Sequence, residues 1–253
     1  LAAEEGTGPE LALRRAAESD VGGVVVVGTD ETTSRQAIAL AQDVAAGLLG
    51  EGMPAVRASV GLHPHEAATS SLAWLNELLE DRSEVVTGLG ECGLDYYYEH
   101  APKKEQREAF ATQIGLAHQH GLTLVIHARD AWDDLFAVLD SEGIPERTVL
   151  HCFTGGPDEA ARCVAAGMTV SFSGIVTFKN AADLREAVRV VPLEQMLVET
   201  DSPFLAPVPH RGAKNEPSWV PLVGQCVAEA GGFDPAEVAA STSSNAKRLF
   251  GLD

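Results

Sequence analysis

Four side chains able to hold a metal ion each follow a short apolar run in this chain. Glu91 comes after residues 85–90, His127 after 122–126, His151 after 148–150 and Asp201 after 196–200. Two imidazoles and two carboxylates drawn from separate segments suit a hydrolytic cation with positions left for water better than a closed structural site. Glu91 has two oxygens and can bridge two cations, whereas His127 and His151 each offer one neutral nitrogen. Paired ions about 3.5–4 Å apart clamp the attacking and leaving oxygens of a phosphoryl displacement, and one of them lowers the pKa of its water from about 15.7 toward about 7. Asp201 is then placed to hold a metal, orient the nucleophile and take its proton, so Asp201 and Glu91 are the catalytic candidates. Taken singly, each residue has a plainer reading: Asp201 before Ser202-Pro203 as a helix cap, and either histidine as a core residue. It is their recurrence after successive apolar runs that favours the metal.

Those residues meet only if the runs are parallel strands, because the C-terminal ends of the strands of an α/β barrel converge on one rim. Strand-like runs extend from Gly23 to Gly28, Ala55 to Gly61, Val85 to Leu89, Leu122 to Ile126, Thr148 to Leu150, Met168 to Ser173 and Gln195 to Glu199. Amphipathic stretches separate them, chiefly Thr33 to Leu49 and Lys103 to His120, and a last helix from Pro235 to Phe250 closes the chain. Another helix, near Glu10 to Ser19, precedes the first strand. Right-handed strand–helix units call for a strand before it, and seven strands are counted where a closed barrel has eight. The expectation is an α/β chain forming a single domain over residues 1–253: a (β/α)8 TIM-type barrel whose first strand precedes Leu1, since two parallel edges would otherwise face solvent.

Composition narrows the function. With 253 residues and 45% hydrophobic content the chain can bury a full core. It has no apolar stretch near the roughly 18 residues that span a bilayer, no basic leader and no lipidation signal, so a cytoplasmic, monomeric protein with no membrane partner is expected. Its four cysteines are too scattered for a disulfide scaffold or zinc ribbon, and Cys92 and Cys152 are expected to point into strand packing. A net charge of −19 repels nucleic acid at large, so any such substrate is held locally.

Other residues are candidates for substrate contact. His63, before Pro64 and His65, can face the same rim and meet a phosphate; the alternative is a rigid turn with one buried histidine. Arg211, and less so Lys214, lie in a loop where cations can neutralise phosphate oxygens, or else pair with Glu216. Arg129 can touch substrate or pair with Asp130 or Asp133. Residues Tyr96-Tyr97-Tyr98 can stack on a splayed base, although a packed loop is the favoured reading.

The segments Gly61-Leu62-His63-Pro64-His65, Gly90-Glu91-Cys92-Gly93-Leu94-Asp95-Tyr96, Ile126-His127-Ala128-Arg129, Leu150-His151-Cys152-Phe153, Glu199-Thr200-Asp201-Ser202-Pro203 and Arg211-Gly212-Ala213-Lys214-Asn215-Glu216-Pro217 together resemble the TatD family of metal-dependent deoxyribonucleases, in the family's order and over nearly the whole chain. The resemblance implies a barrel of the amidohydrolase-like superfamily that opens with a strand ending in His-x-His. It also implies that Glu91, His127 and His151 hold one ion, and that Glu91, Asp201 and the His-x-His pair hold the other. That pair is absent before Gly23, and the family pattern places a Leu directly after it, a position assigned here to Leu1. Residues 1–253 therefore carry one complete half-site and one impaired. Mg²⁺ is the implied metal, while carboxylate and imidazole ligands also admit Mn²⁺, Zn²⁺ or Ni²⁺. The expected function is a metal-dependent phosphodiesterase that hydrolyses DNA from single-stranded ends by metal-activated water. The alternatives are a barrel hydrolase of a small phosphoester, amide or lactone, and a catalytically silent scaffold.

Overall fold

Helix and strand alternate along residues 8–252, the part of the chain that the computed structural model describes. The order is α1 (Pro9–Glu18), β1 (Gly23–Val27), α2 (Glu31–Ala45), β2 (Ala55–Val60), α3 (Ala73–Glu80), β3 (Val86–Asp95), α4 (Lys103–His120), β4 (Thr123–Arg129) and α5 (Trp132–Glu142). It continues through β5 (Thr148–Leu150), α6 (Pro157–Ala165), β6 (Thr169–Phe172), α7 (Ala182–Val190), β7 (Met196–Val198), α8 (Val220–Gly231) and α9 (Pro235–Phe250). The seven strands are all parallel and pair strictly in chain order, β1 to β7. This is the α/β alternation of the expected (β/α)8 TIM-type barrel, with seven strands and with β1 and β7 as the two sheet edges among the described residues. The place proposed for Leu1 lies outside those residues.

Alternation along the strands makes two cores. Val56, Ala58, Leu124, Ile126, Leu150, Val170 and Met196 point outward and pack with helix residues such as Phe110, Ile114, Leu135 and Phe136. On the opposite face Val25, Val125, Val149 and Leu197 form a separate cluster, closed off by Leu249, Phe250 and Leu252 from the chain's end. Thr123 reinforces that closure by donating its hydroxyl to the Leu249 carbonyl. The period of two then carries the inward direction on along each strand: from Val125 to His127, from Val149 to His151 and from Leu197 to Glu199. The apolar interior thus ends, toward the C-terminal rim, in a layer of titratable side chains.

Two strands are longer than the sequence pattern predicts. β3 continues beyond Leu89 to Asp95 and β4 beyond Ile126 to Arg129, so Glu91 and His127 lie within strands rather than after them. A register shift between Leu89 and Cys92 divides β3, after which Cys92 to Asp95 pair with Ile126 to Arg129. Gly90 permits this: its φ is +140°, and a Cβ there would strike the Val125 carbonyl. The glycines and charges of this stretch hide it from a search for apolar runs.

Helix α4 pegs the loops of the rim. Buried Gln113 accepts from the Leu62 N–H (2.8 Å) and donates to the Leu62 carbonyl (3.0 Å), fixing the segment that enters His63. Two turns earlier on the same face, buried Gln106 accepts from the Asp95 N–H (2.8 Å) and donates to the carbonyls of Asp95 (3.1 Å) and Ala101 (2.7 Å). Each amide satisfies backbone groups that no strand reaches. Gln113→Leu should strand both Leu62 groups and cost roughly 1–3 kcal/mol, read as a lower urea midpoint at unchanged slope. An unshifted midpoint would contradict this role.

Candidate metal centre

Three of the histidines singled out from sequence meet around one carboxylate oxygen, and Asp201 adjoins one of them. Oε1 of Glu91 stands 2.9 Å from Nδ1 of His127, 3.5 Å from Nε2 of His63 and 3.7 Å from Nε2 of His151. Nε2 of His151 is in turn 3.5 Å from Oδ1 of Asp201. Metal–ligand bonds of about 2.0–2.2 Å put neighbouring donors on one ion roughly 3–3.5 Å apart, so these separations fit shared cations. Two clusters can each hold an ion: His63, Glu91 and His127, and His151, Glu199 and Asp201.

Hydrogen bonding divides these groups by role. His127 turns Nε2 to Oδ2 of Asp95 (3.1 Å), leaving Nδ1 toward Glu91. His151 turns Nδ1 to Oε2 of Glu199 (3.0 Å), leaving Nε2 toward Glu91 and Asp201. A carboxylate behind an imidazole fixes its tautomer and aims the other nitrogen's lone pair, the arrangement that metal-binding histidines favour. His63 differs. Its Nδ1 accepts the His65 backbone N–H (3.2 Å), so in the neutral ring Nε2 carries the proton and donates rather than ligates. Its distance from Glu91 alone would include it in a cation site; its tautomer makes it a donor facing one.

The charges are unbalanced without a cation. Burial works against the charged form of Glu91, yet His151, His127 and His63 hold its carboxyl well below the usual range. Burial also opposes charge on His127, but Asp95 and Glu91 raise it to about 9. His151 is raised well above the ordinary histidine value by Glu199 and Glu91 despite its burial. Asp201 is pushed up by burial, against the pull of His151 and with help from Glu199 and Glu91. A divalent cation held by these residues would take the place of the protons on the two imidazoles and would offset the carboxylates around them.

Asp95, Glu199 and Asn215 were not predicted as site residues. Asp95 and Glu199 differ from Glu91 and Asp201 in pointing behind the histidines, a distinction of geometry; the available signal was their place beside the ligand candidates, Asp95 four residues past Glu91 and Glu199 two before Asp201. Buried Asn215 donates to the carbonyls of Thr200 (2.7 Å) and Phe204 (2.6 Å) and so staples the turn in which Asp201 adopts a φ of +57°. Arg211 stays apart from the cluster: it lies 3.6 Å over the Phe178 ring and donates to the Ala206 carbonyl. Glu216 is paired with Arg15 instead of Arg211 or Lys214. Cys92 is buried with its thiol toward the Val125 carbonyl, in strand packing as expected.

A family model described as TatD related DNase matches residues 3–251. A Bacillus subtilis protein named uncharacterized metal-dependent hydrolase YabD is 38% identical over 248 residues, covering 96% of this chain and 93% of its own. A Mycobacterium tuberculosis protein named uncharacterized metal-dependent hydrolase TatD is 42% identical over 247 residues, covering 95% and 90%. An Erwinia amylovora protein named 3'-5' ssDNA/RNA exonuclease TatD is 34% identical over 250 residues, covering 95% and 92%. Among solved structures, a TatD homologue from Escherichia coli matches with a TM-score of 0.88 at 28% identity, over 96% of this chain and 92% of its own. A TatD-family hydrolase from Entamoeba histolytica shares the fold with a TM-score of 0.84 at 19% identity, over 100% and 93%.

Asp95 and Glu91 raise His127 to about 9, and Glu199 and Glu91 raise His151 well above the ordinary histidine value, so a cation that takes these nitrogens displaces protons. Affinity for Mn²⁺ should therefore rise with pH through and above neutrality, about tenfold per unit for each proton displaced. Calorimetric titrations at several pH values in buffers of differing ionisation enthalpy measure both affinity and proton release. An affinity independent of pH would contradict the assignment.

Proposed function

The chain belongs to the TatD-related DNase family, and from that premise we propose that it is a divalent-metal-dependent phosphodiesterase that removes nucleotides from the ends of single-stranded DNA. The observation that carries the reading is the convergence of His127 and His151 on Glu91, with Asp201 beside His151 and with Asp95 and Glu199 fixing the two rings from behind. Glu91, His127 and His151 would hold one ion; Glu91 and Asp201 would contribute to a second, whose other ligands belong to an early His-x-His that no residue before Gly23 supplies. A bound divalent cation lowers the pKa of its water and neutralises phosphoryl oxygens. Mg²⁺ is proposed, with Mn²⁺, Zn²⁺ and Ni²⁺ compatible with the same donors.

The chain's own groups complete the reaction. Asp201, raised in pKa by burial, accepts the proton of the attacking water at a carboxylate oxygen. Its position is fixed by Asn215 rather than by a helix cap. His63 donates from Nε2 to a phosphoryl oxygen, since Nδ1 is already occupied by a backbone N–H. Glu199 keeps His151 in one tautomer, so the ring moves no proton. Arg211, exposed on the loop 200–219, meets phosphates further along the strand. The Erwinia relative's name supports action from the 3' end and tolerance of RNA as well as DNA. Without such a cationic surface, a body of net charge −19 has little grip on a long duplex.

With Mg²⁺, the protein should release mononucleotides from a single-stranded oligonucleotide, and chelation should stop it. Asp201→Asn should lower kcat by about 10²–10⁴-fold, the range for loss of a positioned base. Turnover restricted to small esters, amides or lactones, or an undiminished Asp201→Asn enzyme, would overturn the reading.

A further inference from the structure

Two tyrosines stand exposed beside the metal centre. Tyr97 and Tyr98 are 59% and 53% exposed, unusual for side chains this large, and both follow directly on the strand that carries Glu91. They are not loose. Their backbone N–H groups both donate to Oδ1 of Asp95 (3.0 and 2.9 Å), while Oδ2 of the same carboxylate orients His127. The Tyr98 ring lies 5.8 Å from that of His65, which is 6.4 Å from that of His127, so the tyrosines are registered to the candidate ligand through one rigid group. The packed-loop reading of the sequence holds for Tyr96 only, whose hydroxyl is bonded to Asp134 and Arg107.

Arg129 supplies the second feature. It projects from the end of β4, two residues past His127, with its guanidinium 4.2 Å from the Tyr97 centroid and 4.8 Å from that of Tyr98. Neither Asp130 nor Asp133 engages it, and among the described residues it makes no ion pair. Lys103 lies 4.3 Å over Tyr96 and His100 stacks on Tyr98, so a cationic spot with aromatic faces interrupts an acidic surface. Aromatic rings and guanidinium planes are the surfaces on which unpaired bases stack.

We propose that Tyr97, Tyr98 and Arg129 form a subsite that stacks an unpaired nucleobase next to the scissile phosphate, with Arg129 also neutralising that nucleotide's phosphate. The subsite rests on the phosphodiesterase reading for its substrate, yet its binding role can be measured without turnover. A duplex end cannot occupy it without unpairing, which gives the preference for single strands a physical source.

The test is fluorescence anisotropy of the full chain with Mg²⁺ and a labelled, phosphorothioate-linked single strand, either intact or with abasic residues at its 3' end. Wild type should bind the abasic strand about tenfold more weakly. Tyr97→Ala/Tyr98→Ala should lose about the same factor on the intact strand and nothing further on the abasic one, while Tyr98→Trp keeps the discrimination. Arg129→Ala should reduce the slope of log affinity against log salt by about 0.7. A wild-type protein indifferent to missing bases, or binding neither strand, overturns the subsite, and this comparison needs no variant to fold. Hydrolysis of the ordinary phosphodiester strand, followed separately, reads the other proposal. Base-dependent binding without hydrolysis would sink the nuclease and leave the subsite, and hydrolysis with base-indifferent binding would do the reverse.

Discussion

A charge taken almost wholly out of water must be satisfied on every side, and Asp95, 1% exposed, is the group around which this rim is arranged. One oxygen accepts two backbone N–H groups and the other faces the imidazoles of His127 and His65. Burial opposes its charge, but His127, the Tyr98 N–H and His65 together hold the carboxyl below its ordinary pKa. Because the carboxylate stays ionised, it needs all these partners in place. Its backbone is fixed as well, by Gln106 of α4. A helix outside the sheet therefore sets the angle at which His127 presents Nδ1.

Glu199 repeats the device behind His151, and the two carboxylates divide the site into groups that meet the cation and groups that hold them still. This explains why a centre with three half-buried histidines and four carboxylates can be stable in one geometry. Each ring has one nitrogen held from behind, and the other nitrogens of His127 and His151 both face Glu91, that of His127 within hydrogen-bond distance. The strands deliver them by simple alternation. The C-terminal residues Leu249, Phe250 and Leu252 fill the opposite end of the interior, leaving the rim as the one polar end of the strands described.

Much of this was legible in the residues. The strands were marked by apolar runs, and the ligand candidates by metal-capable residues at the ends of those runs, because parallel strands bring such ends together whatever their separation in sequence. What stayed hidden was determined by direction rather than by type. His63 is expected as a substrate contact, and what sets it apart from the neighbouring ligand candidates is the backbone N–H on its Nδ1. Asp95 and Glu199 are carboxylates like Glu91 and Asp201, and only the rings between them separate support from ligand. Strand β3 was cut short at Leu89 because Gly90, Glu91 and Gly93 break the apolar pattern where the chain kinks. An aromatic run more often marks packing, but Tyr97 and Tyr98 are exposed, on a backbone that Asp95 holds through two N–H bonds. The alternative pairing of Arg211 or Lys214 with Glu216 is not formed, because Glu216 pairs with Arg15 of α1.

The account stands on a cation enclosed by Glu91, His127, His151 and Asp201. The direct measurement is anomalous scattering from crystals of the protein grown with Mn²⁺. It should place an ion on a Glu91 oxygen, Nδ1 of His127 and Nε2 of His151, with Asp95 still bonded to Nε2 of His127 and Asp201 facing the same space. An ion bound through Asp95 and the other nitrogen of His127, or none within reach of Glu91, would contradict it.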